Sequence, residues 1–527
     1  MPVPAAGIGD AATSADASDA TATPPAFDPA AFDRHVERVR AQFEIPGIAV
    51  AIVKDGQVVL ARGWGVRELG SPEPVDAHTL FAIASNTKAF TAAALSMLAD
   101  EGKLTLDDRV VDHLPWFRMA DPYVTAQIRI RDLLTHRSGL GLGAGDLLFW
   151  PGSDYTTEEV VRRLAHVPLK TGFRERYAYD NILYAAATLV VEQASGQSYA
   201  QFLQQRIFDP LGMHATRINA DALQSGDIAA SGHARADFTR LQPTFPLTWH
   251  NASGAGGIYS NAHDMARWVA AQLAGGVHVD AQGREHRLFS TARQEQMWSL
   301  QSPMNISAPS VPALEAARPD FLGYGEGWIV SSYRGRKLVW HTGGWPGMVS
   351  RVTLVPALGL GVVVLTNQES GAAFNAVTMQ ALDDYLAPDQ RTDWIAAYAA
   401  AADKARARAE DAWASRLRAR TPQTRPSLPL SAYARTYRDA WYGDVDVVQA
   451  GDGLRMRFTR SPLLAGELQH WHHDTFLVRW DERTLNGDAL VTFELDADGQ
   501  VRQARMEAAS ELTDFSFDFQ DLVLRPR

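Results

Sequence analysis

Ser85-Asn86-Thr87-Lys88-Ala89-Phe90-Thr91-Ala92-Ala93-Ala94-Leu95-Ser96-Met97-Leu98-Ala99-Asp100 is the stretch on which the reading of this chain turns. Phe90, Ala94, Leu95 and Leu98 recur at helical spacing, with no interior Gly or Pro before Asp100-Glu101-Gly102, so the run reads as a helix. Residues three apart on a helix share a face, with Cβ atoms roughly 5–6 Å apart, which sets Lys88 one turn above Ser85. A serine hydroxyl is a poor nucleophile at neutral pH, and a close lysine, or a group it controls, can take its proton. Ser85 would also sit at the positive end of the helix dipole, where a developing alkoxide or oxyanion is favoured. Taken alone the signal is weak, because Ser-x-x-Lys arises often by chance. Two later segments supply chemistry that it lacks.

The first is Tyr179-Asp180-Asn181. Tyr179 can relay a proton if a neighbouring cation lowers its pKa from about 10. Asn181, two residues on, points the same way in an extended stretch or turn and can bond both Lys88 and a substrate amide. The second is His341-Thr342-Gly343-Gly344-Trp345-Pro346-Gly347, between the strand-like runs 337–340 and 348–355, with a third apolar run at 359–366. Glycines such as Gly343 and Gly344 let backbone N–H groups approach a ligand closely, and a strand-edge N–H together with that of Ser85 would make a two-donor oxyanion hole. Each segment has an ordinary alternative: an aromatic loop packed into the core, and a Gly-rich hairpin corner.

Together the three segments resemble the serine β-lactamase and penicillin-binding-protein superfamily, in its class C-like branch of D-aminopeptidases, DD-carboxypeptidases and β-lactamase-type esterases. Leu133-Leu134-Thr135-His136-Arg137-Ser138-Gly139-Leu140, Asp209-Pro210-Leu211-Gly212-Met213 and Ala255-Gly256-Gly257-Ile258-Tyr259-Ser260 look like further segments of that branch, and the likeness runs over roughly residues 31 to 390. The resemblance implies that Ser85 is the nucleophile of an acyl-enzyme and that Lys88 and Tyr179 share the base function. It implies that Asn181 orients Lys88 and substrate, and that the N–H groups of Ser85 and Gly344 form the oxyanion hole. No cofactor or metal is implied. His341 stands where the family's Lys-Thr-Gly triplet has lysine. Histidine is mostly neutral at pH 7, so carboxylate recognition and β-lactam turnover should be poor. If His341 must stay neutral to accept a hydrogen bond from Tyr179 or substrate, activity should fall through roughly pH 6–7.

The expected fold is an α/β sandwich of one antiparallel sheet with helices, beside an all-helical lobe, with the site between them. The strand pair 47–53 and 58–65 flanks a Lys54-Asp55-Gly56 turn, and helices are expected at 32–43, 86–100, 157–166, 182–195, 198–207 and 262–274. The domain plan is a disordered segment 1–30, a hydrolase domain 31–390, a helical linker 391–429 and a β domain 430–527. In the last, short alternating runs, from Val445/Val447 to Phe515/Phe517/Phe519, suggest an antiparallel barrel of about six to eight strands. It resembles the lipocalin-like domain appended to some members of the family, and its work would be to narrow the cleft or support homo-oligomers. His470, His472 and His473 crowd one turn, but His-x-His offers two ligands at most, so no metal is expected.

The chain has 527 residues, 46% of them hydrophobic, enough for more than one domain. A formal net charge of −11 argues against nucleic acid or an anionic membrane as partner, and no apolar run is long enough for a transmembrane helix. The absence of cysteine removes thiol catalysis and disulfides. The resemblance implies a small-molecule or short-peptide substrate as partner. The polar tract 1–30 lacks a signal-peptide pattern; the family favours the periplasm or secretion, with the cytoplasm otherwise. The activity expected is hydrolysis of amide or peptide bonds, D-residues included. Carboxylic esters are the alternative, and a non-catalytic binding or scaffolding protein is the contrasting class.

Overall fold

The computed structural model describes residues 27–280, 282–390 and 392–527. The expected disordered segment 1–30 lies outside the described residues except for its last four. Of these, Pro29 and Ala30 already belong to helix α1 (Pro29–Phe43), which Asp28 caps by accepting the N–H groups of Ala30 and Ala31.

Strands β1 (Gly47–Lys54) and β2 (Gln57–Gly65) form the expected hairpin, with Asp55 and Gly56 both at positive φ, as a tight two-residue turn requires. Six later strands join them: β3 (Ser302–Pro303), β4 (Leu322–Tyr324), β5 (Ile329–Tyr333), β6 (Arg336–Trp345), β7 (Met348–Val355) and β8 (Leu360–Thr366). The sheet is antiparallel, in the order β3-β4-β5-β6-β7-β8-β1-β2. Its central strands are buried on both faces, and period 2 assigns their side chains to two cores. Ile48, Val50 and Ile52 face Phe32 and Val36 of α1, while Ala49, Ala51 and Val53 face the helical layer.

That layer is built on helices α2 (Thr87–Asp100), α3 (Ile182–Ser195) and α4 (Ala262–Leu273). Every residue from Thr87 to Ala99 is buried, so α2 is an internal spine and not the one-faced helix its apolar spacing suggests. Phe90 stacks on Trp268 of α4 at 3.9 Å. The expected helix 198–207 is α-helical only over Tyr199–Leu203 and widens into a π turn over Gln204–Phe208. Helix α5 (Gly371–Leu386) covers the opposite face of the sheet with α1, and α6 (Trp394–Ala419) leads away from it.

The C-terminal unit is a nearly closed antiparallel barrel, consistent with a lipocalin-like domain. Its strands are β9 (Thr436–Asp439), β10 (Gly443–Ala450), β11 (Gly453–Phe458), β12 (Ala465–His472), β13 (Thr475–Trp480), β14 (Ala489–Leu495), β15 (Val501–Ala508) and β16 (Arg525–Pro526). They run β15-β14-β13-β12-β11-β10-β9-β16, and a bridge between Ala504 and Leu524 nearly closes the ring. One expectation fails. The alternating run Phe515/Phe517/Phe519 is not a strand but part of the loop joining β15 to β16, and its alternation serves contacts outside the barrel as well as within it. Among the described residues no helix is long and apolar enough to cross a membrane, and no group of three His, Asp or Glu is placed to hold a metal.

Candidate active site

Ser85 lies in a single 3-10 turn, Ala84–Asn86, that runs directly into α2. Ala84 holds φ 45, a left-handed conformation that costs a residue with a Cβ of order 1 kcal/mol or more and persists only where surroundings enforce it. The enforcing neighbour is β6. A Cβ on Gly343 would stand 2.2 Å from the Ile83 carbonyl oxygen, so only glycine lets the strand lie this close to the serine turn. Pairing between β5 and β6 ends at Ile329 and Trp340, so residues 341–345 pair only with β7. The expected hairpin corner is thus strand as far as Trp345, with one edge unpaired by β5.

Lys88, one turn up α2, is completely buried. Its Nζ lies 3.0 Å from Ser85 Oγ and donates to Asn181 Oδ1 at 2.7 Å and the Ala255 carbonyl at 2.8 Å. Burial brings its pKa down from 10.5 to about 7, against the pull of Asp146 and Asp180. A neutral lysine amine has two N–H bonds and one lone pair. Two acceptors take the N–H bonds, which leaves the lone pair for the Ser85 hydroxyl.

Tyr179 and Asn181 are brought in by the turn that precedes α3, and the segment 133–140 holds that turn. The His136 carbonyl accepts the Ala178 N–H, His136 Nδ1 accepts the Asp180 N–H, and Ser138 Oγ donates to Asp180 Oδ2. The Tyr179 hydroxyl hydrogen-bonds Ser85, and its ring lies 4.8 Å from Lys88 Nζ. The expected lowering of its pKa does not occur. Burial holds the phenol well above its ordinary value, and the lysine addresses the ring face, so Tyr179 is a neutral hydroxyl here.

His341 is also corrected. Its partner is Tyr324, not Tyr179: the Tyr324 hydroxyl donates to Nε2 at 2.8 Å, and Nδ1–H donates to the Thr342 carbonyl at 2.6 Å. Burial and the neighbouring Lys88 lower its pKa to about 3, so it stays neutral throughout the window in which it was expected to titrate. Tyr324 sits in an aromatic box with Tyr177 and His136 that no sequence motif marks.

The barrel reaches this site through the 509–524 loop. Phe515 meets the Tyr179 ring edge-on at 5.9 Å, Ser516 Oγ donates to Asp146 Oδ2, and Asp518 accepts the N–H groups of Gly145 and Leu147. Ser85, Tyr179, Asn181, His341 and Gly344 then line one cavity of about 230 Å³, walled by Trp150, Trp249, Tyr177, Ile329 and Phe515. A larger cavity of about 530 Å³ also reaches Gly344, Trp150 and Trp345. Gly343 stands behind Gly344, against Ile83. All the residues singled out from sequence therefore converge. Asp146, Tyr324, Phe515 and Ser516 were missed; for Phe515 and Ser516 the aromatic alternation at 515–519 was the signal, misread as a strand.

The sequence pattern of the Beta-lactamase family matches residues 32–387. The chain belongs to that family. Residues 419–526 match a domain of unknown function, DUF3471. Among curated β-lactamase relatives, an unguisins hydrolase of Aspergillus violaceofuscus is 30% identical over 459 residues, covering 82% of this chain and 78% of its own. Penicillin-binding protein 4 of Amycolatopsis lactamdurans is 28% identical, over 66% of this chain and 87% of its own. The octameric penicillin-binding protein homologue from Pyrococcus abyssi superposes with TM-score 0.58 at 22% identity, over 94% of this chain and 100% of its own. D-amino acid amidase from Ochrobactrum anthropi does so with TM-score 0.54 at 21% identity, over 70% and 99%. This β-lactamase-family chain is accordingly a serine hydrolase by family, with the family fold and a barrel beyond it.

Proposed function

We propose that the protein hydrolyses amide or peptide bonds, D-residue substrates included, through an acyl-enzyme on Ser85. The observation that carries this reading is Lys88 Nζ, desolvated, 3.0 Å from Ser85 Oγ and with both N–H groups engaged elsewhere. Lys88 takes the Ser85 proton as Oγ attacks the acyl carbon; the carbonyl oxygen becomes an oxyanion beside the N–H groups of Ser85 and Gly344. Tyr179, neutral and bonded to Ser85, is suited to pass a proton to the departing nitrogen and not to act as primary base. Deacylation reverses the roles, with Lys88 and Tyr179 activating water.

The cavity walls support this substrate class. The cavity at Ser85 is bounded by Trp150, Trp249 and Phe515, which suits a compact acyl group, and the wider cavity beyond Gly344 gives a short peptide room to continue. His341 has both ring nitrogens engaged and is uncharged, so it offers nothing to a carboxylate and β-lactams should turn over poorly. The apolar walls equally suit carboxylic esters, which form the second reading. The test is a panel of D- and L-alanine p-nitroanilides, p-nitrophenyl acetate and butyrate, D-Ala-D-Ala peptides and nitrocefin, on wild type and Ser85→Ala. Loss of all turnover and of fluorophosphonate labelling in Ser85→Ala is expected; a wild type that forms no fluorophosphonate adduct on Ser85 would return the chain to the binding-protein class. Nitrocefin turnover matching that of the best ester would overturn the account of His341.

A further inference from the structure

The roles above leave one buried group beside the base unused. Asp146 is fully buried at the start of a short turn after Gly145, and its Oδ2 accepts Asn181 Nδ2–H at 2.7 Å and Ser516 Oγ–H at 2.8 Å. Its Oδ1 has no hydrogen-bond partner among the described residues. An ionised carboxylate in such a place costs several kcal/mol unless a cation answers it. The cation whose field reaches it is Lys88, one carboxamide away.

We propose that Asp146 is a positioning residue for proton transfer from Ser85 to Lys88, orienting the Asn181 carboxamide, and that Ser516 of the barrel loop completes this arrangement. The proposal rests on the acyl-enzyme reading. Asp146 Oδ2 accepts from both Asn181 and Ser516, and a proton on the unpartnered Oδ1 would leave it an acceptor, so Asn181 turns its NH₂ toward Asp146 and its oxygen toward the lysine. Without Asp146 the two ends of the carboxamide are nearly isosteric, and the NH₂ could face Lys88 instead. When the Ser85 proton arrives, Lys88 becomes an ammonium with three N–H groups, and the pair left on Oγ forms the bond to the acyl carbon. The new positive charge then meets Asn181 Oδ1 and the Ala255 carbonyl, with the Asp146 carboxyl group behind the amide.

Lys88 feels Asp146 and Asp180, and faces His341 from β6 and His136 from the 133–140 segment, both of whose pKa values burial lowers. Asp146 feels Lys88 and Asp514, and lies beside Asp518; burial raises its pKa to about 8, opposed by the bonds from Asn181 and Ser516. Asp146 and Lys88 thus have overlapping titrations, so a proton can sit on either near neutral pH. Because Ser516 belongs to the barrel, the C-terminal unit contributes to the base indirectly, by holding the group that orients its acceptor.

The test is the pH dependence of kcat/KM in the full chain with Asp146→Asn and Ser516→Ala. Asp146→Asn removes the share of negative charge that the coupled pair places on Asp146, so the acidic limb should move lower by a fraction of a pH unit. It should also reduce kcat about tenfold or more, with KM nearly unchanged. Ser516→Ala leaves the Asp518 caps in place and should shift the limb the same way by less. A role confined to packing predicts lower thermal stability with a scaled but superimposable pH profile, and that result overturns the proposal. If Asp146→Asn does not fold, an unmoved limb in Ser516→Ala overturns it as well. Activity surviving in Ser85→Ala would instead defeat the acyl-enzyme reading beneath it.

Discussion

Lowering the pH through 7 should switch this enzyme off through Lys88 and not through His341. With a pKa of about 7, roughly half of Lys88 is free base at pH 7 and about 1% at pH 5, so kcat/KM should fall about tenfold per pH unit below 7. An ordinary lysine near 10.5 would be about 0.03% free base at pH 7; the net shift, dominated by burial, thus raises the base concentration by some three orders of magnitude, or about 4 kcal/mol. His341, at about 3 with both nitrogens bonded, contributes nothing in this range. The assay is kcat/KM from pH 5 to 9 on the fastest substrate of the panel, read at the isosbestic wavelength of p-nitrophenol where that is the product. Wild type and His341→Gln should share an acidic limb near pH 7, while Lys88→Met should lose about 10²–10⁴-fold in kcat at every pH. A rate independent of pH between 5 and 8, or a limb that vanishes in His341→Gln, would refute the assignment of the base.

Three further outcomes are expected. Gly343→Ala should abolish activity and lower the melting temperature, because its Cβ would stand 2.2 Å from the Ile83 carbonyl and drive β6 off the serine turn. Gly344→Ala, whose Cβ meets nothing within 4 Å, should melt like wild type, which circular dichroism checks. Phe515→Ala should open the cavity wall and raise the activity ratio of a long to a short p-nitrophenyl acyl ester about tenfold, measured as kcat/KM; an unchanged ratio would place Phe515 outside substrate contact. His35 is buried, with its pKa lowered by burial to about 4. The unfolded chain therefore binds more protons between pH 4 and 6.5. Stability is fully present above 6.5 and drops by up to about 3 kcal/mol as pH falls to 4, a slope that urea denaturation should show reduced in His35→Gln.

Much of this site was legible before any coordinates. Ser85 and Lys88 declare themselves because a three-residue spacing on a helix is a local fact, and Tyr179, Asn181 and the glycines at 343–344 are set by short segments whose conformation their own residues largely determine. The β1–β2 hairpin and the ends of α3 and α4 are local in the same sense. Aromatic alternation at 515–519 misled because a period of two describes any segment with two differently solvated sides, whether or not it pairs in a sheet. The partner of His341 could not be read at all: Tyr324 lies on a strand with no motif, and adjacency across strands depends on register.

What one dimension of residues determined was the inventory: a hydroxyl, an amine, a phenol, an amide and an imidazole, each on a segment able to present it. Protonation state was decided only by packing, because pKa depends on how completely neighbours exclude water and on charges far away in the chain. Hence burial lowers the Lys88 pKa to about 7 and keeps Tyr179 a phenol, and Asp146 accepts a hydrogen bond from Ser516, 370 positions later.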